Sequence, residues 1–94
     1  MRRCYIIIRQ SFYMSNGWHY QVADENPVVA VYTTESAAIE AVRNIIMRWT
    51  RNSDGKLHAK LGNIDSKVVY RLGAFDSLGN CSVSYSVIKM GMMV

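Results

Sequence analysis

Acid–base, nucleophilic or metal chemistry in this chain would have to come from His19 and His58, Cys4 and Cys81, and the adjacent acids Asp24 and Glu25. A general base works only within hydrogen-bond reach of the group it deprotonates. Neither histidine has a nucleophile beside it in sequence. A tetrahedral zinc site would need Cys4, Cys81, His19 and His58 together, and no two of them stand at the close spacing of a ligand pair. Asp24-Glu25 run into Asn26-Pro27, a turn signal, where acids commonly just solvate the chain. The sequence has no glycine-rich phosphate loop and no nucleophile elbow. These residues predict a protein that is not an enzyme and that holds no cofactor and no metal. Two cysteines are too few for a disulfide framework, and both are expected as buried free thiols.

Binding chemistry has more to draw on. Tyr5, Arg9 and Tyr13 share one parity of a strand-like stretch, Arg71 stands in a second stretch, and Ser82, Ser84 and Ser86 stand in a third. Aromatic and guanidinium groups on an open sheet face can stack on bases or anchor a protein interface. A second group is basic: Arg43, Arg48, Arg51, Lys56 and Lys60. They fall in residues 43–67, where six bases face two acids for a net +4. Residues 1–42 net −1 and residues 68–94 net +1, so this segment accounts for the chain's excess of +4. Local positive charge suits an anionic partner, and it is also what a solvated helix end carries.

These residues need elements to hold them. Ninety-four residues, half of them hydrophobic and 19% charged, predict a single domain over residues 1–94. Residues 3–14 alternate as a long strand. Cys4, Ile6, Ile8, Phe12 and Met14 form the face expected to be buried, with Tyr5, Ile7, Arg9, Ser11 and Tyr13 on the other. Ser15-Asn16-Gly17 predicts a three-residue loop that sets Phe12 opposite Tyr20 and Met14 opposite Trp18. Val28-Val29-Ala30-Val31-Tyr32 suits a strand covered on both faces. Thr33-Thr34-Glu35 opens a helix whose buried stripe is Ala38, Ile39, Val42, Ile45, Ile46 and Trp49, and Asn52–Gly55 stops it. Residues 56–66 fit a short strand and a single helical turn equally. Residues 67–75 and 80–89 form a hairpin around Asp76-Ser77-Leu78-Gly79. Its pattern predicts Tyr70 opposite Tyr85, Leu72 opposite Val83, and Arg71 opposite Ser84 on the other face.

The expected class is α+β: a mainly antiparallel sheet in the order β-β-β-α-β-β, with one amphipathic helix packed on one face. The second face is left for a partner, and Tyr5, Arg9, Tyr13, Arg71 and Ser84 are the residues expected to bind it. The function expected is that of a small non-enzymatic binding module acting on a larger protein or protein–nucleic-acid complex. In size and class, though not in motif, the chain is similar to small inhibitors and accessory factors of phages and mobile elements. The alternative is direct nucleic-acid binding through Arg43, Arg48, Arg51, Lys56 and Lys60. The apolar run after Arg3 is cut by Arg9 and has no cleavage site, and no stretch approaches the roughly 20 apolar residues of a membrane span. A cytoplasmic protein with no membrane partner is therefore expected. The open face and the apolar tail Met90-Gly91-Met92-Met93-Val94 predict a symmetric homodimer.

Overall fold

The structure is a computed structural model, and it describes residues 2–15, 18–22 and 26–92. The side chains of Arg2, Met14, Ser15, Trp18, His19 and Met92, the Asp24-Glu25 turn and Met93-Val94 lie outside what is described. The expected α+β class holds. Strands β1 (Arg2–Ser15), β2 (Trp18–Val22) and β3 (Val28–Tyr32) precede one helix, α1 (Glu35–Arg51); β4 (His58–Leu61), β5 (Val68–Phe75) and β6 (Cys81–Met92) follow it. The segment left open between strand and helical turn is thus the short strand β4.

All pairings are antiparallel, and the sheet runs β2-β1-β6-β5-β4. The fourteen residues of β1 seat two short strands on the edge away from β6: β3 against Tyr5–Ile8 and β2 against Ser11–Ser15. The longest ladder joins β1 to β6, from Arg2 opposite Met92 to Ser11 opposite Val83. Residues directly opposite one another share a face. Ile7 with Val87 therefore lies on the same side as Tyr85, Val83, Leu72 and Ala74, the residues that meet the helix stripe Ala38, Val42 and Ile46 in the buried core. Ile7, Val42, Ile46, Val83 and Val87 are fully buried. Each contributes roughly 1.5–3 kcal/mol relative to exposure.

Local chemistry fixes the element ends. Thr34 is the N-cap, with φ −124° and ψ 146°, and its Oγ1 accepts from the Ala37 N–H at 3.3 Å. Glu35 in the first turn and Arg48 and Arg51 in the last complement the helix dipole. After the helix, Ser53 Oγ donates to the Thr50 carbonyl at 2.7 Å and accepts from the Leu57 N–H at 3.0 Å, tying the helix end to the entry of β4. Ahead of β5, Asp65 Oδ1 accepts from the N–H groups of Lys67 and Val68, each at 2.7 Å. In the last hairpin, Asp76 Oδ1 accepts from Leu78 N–H at 2.9 Å and Asn80 N–H at 2.8 Å, and Gly79 takes φ 86°.

Three expectations need correction. The β5–β6 hairpin pairs Tyr70 with Val87 and Leu72 with Tyr85, two residues along from the predicted Tyr70–Tyr85 pair. The loop governed by Asp76 extends to Asn80, and the ladder shifts between Ala74 and Phe75 so that Phe75 meets Cys81. A two-residue slip keeps the side chains from Tyr70 to Ala74 on their predicted faces, whereas the shifts at the two ends of the ladder turn Val68 and Cys81 to the other face and Val69 toward the core. The β1–β2 hairpin sets Ser15 opposite Trp18 and Phe12 opposite Gln21, one residue away from the predicted register. In that register the rings of Tyr13 and Tyr20 stack at 5.2 Å between centroids, a cross-strand contact that local periodicity does not show. The largest correction is to β1, whose helix-facing side is the one carrying Tyr5 and Ile7, not Ile6 and Ile8; Cys4, on the side away from the helix, is buried as expected.

That last result gives a direct test. Ile7→Ala should lower unfolding stability by about 2–5 kcal/mol, and Ile6→Ala by about 1 kcal/mol or less, in denaturant titration. The reverse order would mean that β1 is turned over. A second test is acid sensitivity. Hydrogen bonds from Val68 and then Lys67 hold the Asp65 carboxyl below its ordinary pKa, and the Asn80 N–H does so first for Asp76. A carboxyl whose pKa is lower in the folded chain stabilises the fold above the unfolded pKa and loses that effect as pH falls through the folded value. Stability should therefore fall as the pH drops below about 3.9. The doubly substituted Asp65→Asn, Asp76→Asn chain should show a flatter acid limb.

Candidate binding surface

The sheet face away from α1 has no element packed on it among the described residues. The ladders place its side chains in rows. Val31, Ile6, Ile88 and Val68 lie opposite one another in turn, forming an aliphatic row across β3, β1, β6 and β5 in which Val31 is exposed, Ile6 and Ile88 are half-buried and Val68 is buried. The next row is Val28, Ile8, Ser86 and Arg71. After it come Gln10, Ser84, Gly73 and Lys60, and then Phe75 with His58. The face thus grades from aliphatic at the β3 side to basic at β5 and β4. Val31 is 58% exposed and Val28 47%, on strands whose other side is already packed.

The basic end is built in contact with its neighbours. Arg71 Nε donates to Ser86 Oγ at 2.9 Å, and its stem lies along Gly62, where an added Cβ would stand 2.7 Å from Cδ. Lys60 Nζ sits 5.6 Å from the centre of the Phe75 ring. Phe75 in turn lies over Gly73, where an added Cβ would come 2.8 Å from Cε1 and 3.2 Å from the Val83 carbonyl oxygen. Glycine is needed there for close approach. Ser84 and Ser86 are buried. Among the described residues, every buried side-chain nitrogen or oxygen has a partner.

The five residues expected to share a binding face do not share one. Arg71 and Ser84 are on the uncovered face. Tyr5 is buried beneath the helix, and Arg9, opposite Tyr85, has the helix-side parity. Tyr13 has that parity too, but lies beyond Ser11, where the β1–β6 ladder stops; it is 51% exposed and stacked on Tyr20. The cause is the reversed parity of β1. Its run Tyr5-Ile6-Ile7-Ile8 is apolar at every position, so either parity could have gone inward. The residues that the sequence reading missed are Ile6, Ile8, Val31 and Ile88. The signal that could have found them is two-sided apolar character in β1 and β3 when only one helix is available to cover them.

The basic group divides as well. Arg43, Arg48 and Arg51 are exposed on α1 and Lys56 on the turn after it, whereas Lys60 faces away from the helix. The helix end has its own feature. Trp49, expected to close the buried stripe, is 42% exposed, and with Leu57, Arg48, Asn52 and Ser53 it lines a hollow of about 410 Å³. Cys4 and Cys81 form no disulfide and stand toward opposite ends of β6: Cys4 pairs with Met90, and Cys81 with Phe75. Burial pushes the Cys81 thiol pKa up. No group of three or more potential metal ligands is found among the described residues, and no helix there is long and apolar enough to cross a membrane.

Comparison with known proteins leaves this geometry to speak for itself: no family model, curated protein or solved structure matches the chain.

The packing of Phe75 on Gly73 can be tested. Gly73→Ala should push the ring off the strand and lower stability by about 1–3 kcal/mol in denaturant titration. The Phe75 ring and Lys60 side-chain NMR signals should move together. Unchanged stability and unmoved signals would show that the ring does not rest there.

Proposed function

We propose that this protein is a small non-enzymatic binding module that works through its uncovered sheet face on a larger protein or protein assembly. One observation carries the proposal. Two adjacent strands, β1 and β3, are apolar on both sides, yet a single helix covers one side only. An apolar face of this kind, bounded by polar and basic side chains, is the usual composition of an interaction site. A sheet face is also rigid, so little conformational freedom is lost on binding. Tyrosine and arginine anchors, the residues first expected to act there, are reduced to Arg71; aliphatic side chains take their place.

The test is a comparison of two variants in affinity capture from the native host. Ile6→Glu with Ile88→Glu places two charges in the aliphatic row, while Arg43→Glu with Met47→Glu alters an exposed stretch of the helix. The wild-type and helix-variant chains should recover the same partner, and the face variant, still folded, should lose it. Loss from the helix variant instead would move the site to α1. Turnover of a small molecule in the Trp49 hollow would overturn the non-enzymatic reading.

A further inference from the structure

The charge distribution says what kind of partner the face takes. Among the described residues, none of the six strands contains an aspartate or glutamate; the acids Glu35, Glu40, Asp54, Asp65 and Asp76 lie on the helix and in the connections. The uncovered face therefore carries positive charge from Lys60 and Arg71, with His58 beside them, and no carboxylate of its own strands to offset it. Asp65 is the acid that acts on Arg71 from the neighbouring segment, and both of its short hydrogen bonds go to backbone N–H groups. Arg71 and Lys60 are steadied along their length by Ser86, Gly62 and Phe75. Cations already steadied in this way lose less freedom on pairing than ones that wave in solvent.

We infer that the occupant of this face is an acidic protein surface. It would present aliphatic side chains to Val31, Ile6 and Ile88, and carboxylates to Arg71 and Lys60. This rests on the proposal that the uncovered face is the working surface. Each alternative occupant leaves something unmet. A second copy laid face to face would bring the cations of Lys60 and Arg71 against a surface without acids, and like charges across an interface are costly. Nucleic acid would satisfy the cations but leave the aliphatic row against sugar and phosphate. Bases stack on aromatic rings, and the ring nearest these cations, Phe75, already lies beneath Lys60.

The experiment is selection from a random-peptide display library against the immobilised, folded chain, followed by amide NMR mapping of the recovered peptides. The expected peptides are enriched in aspartate and glutamate beside aliphatic residues and shift the signals of Ile6, Ile8, Ile88 and Arg71. Their affinity should fall about tenfold or more on Lys60→Glu and on Arg71→Glu. Each variant is checked by its own amide spectrum, and Lys60→Glu, an exposed edge position, carries the test alone if Arg71→Glu does not fold. Neutral or basic aliphatic peptides on the same face would overturn the acidic partner while leaving the face as a binding surface. Peptides that map to the helix, or no peptides at all, would overturn both. Oligothymidylate shifting the face signals, with affinity falling steeply in salt, would put nucleic acid in place of protein. A concentration-dependent shift of the same signals by the chain alone would put a second copy there.

Discussion

The pairing of Ile7 with Val87 across the β1–β6 ladder is the contact on which the rest of the structure depends. Both side chains are fully buried, and they fix which parity of each strand meets the helix. On β6 the choice is forced, because Val83, Tyr85 and Val87 alternate with Ser84 and Ser86. On β5, Leu72 and Ala74 alternate with Arg71 and Gly73 and agree with β6. β1 then follows its partner. With Ile7 inward, Ile6 and Ile8 must point away from the helix. Because β3 is paired to β1, Val31 goes with Ile6 while Ala30 and Tyr32 turn toward the core. A chain with one helix covers one side of its sheet, and its β1–β3 half is apolar on both.

This explains how much could be read in advance. The division of the last hairpin into an apolar and a hydroxyl-lined face was legible, because its period of two is written into Val83–Val87. Its absolute register was not. It depends on how Asp76 gathers the N–H groups of Leu78 and Asn80, and on a bulge next to Phe75. The helix was legible in its cap, charges and buried stripe, except at Trp49, which is 42% exposed and lines a hollow with Leu57. Parity in β1 was not legible from β1 itself. A strand apolar at four successive positions carries no alternation, and its orientation is decided by a strand some eighty residues later in the chain. Of the predicted surface residues, Arg71 and Ser84 kept their places because β5 and β6 alternate cleanly. Tyr5, Arg9 and Tyr13 changed sides together, as they had to once the parity of one strand was reversed.

The energetic consequence is a division of labour between the two faces. The helix side supplies the buried core. The other side keeps aliphatic groups partly in water and holds its serines, glycine and cations in a close network. Substitutions there are expected to affect binding more than folding, except at the buried Cys4, Val68, Gly73, Ser84 and Ser86 and at Arg71, whose side chain rests on its neighbours. The molecule measures 48 × 24 × 22 Å, its length following the two long strands β1 and β6.

The claim that one parity of β1 meets the helix while the other is left for a partner can be tested most directly by methyl nuclear Overhauser effects in solution. The account predicts contacts from the methyls of Ile7 and Val87 to those of Val42 and Ile46, and none from Ile6 or Ile88 to any residue of α1. Contacts from Ile6 or Ile88 to the helix would contradict it. They would place the aliphatic row in the core and leave the protein without the face proposed to bind.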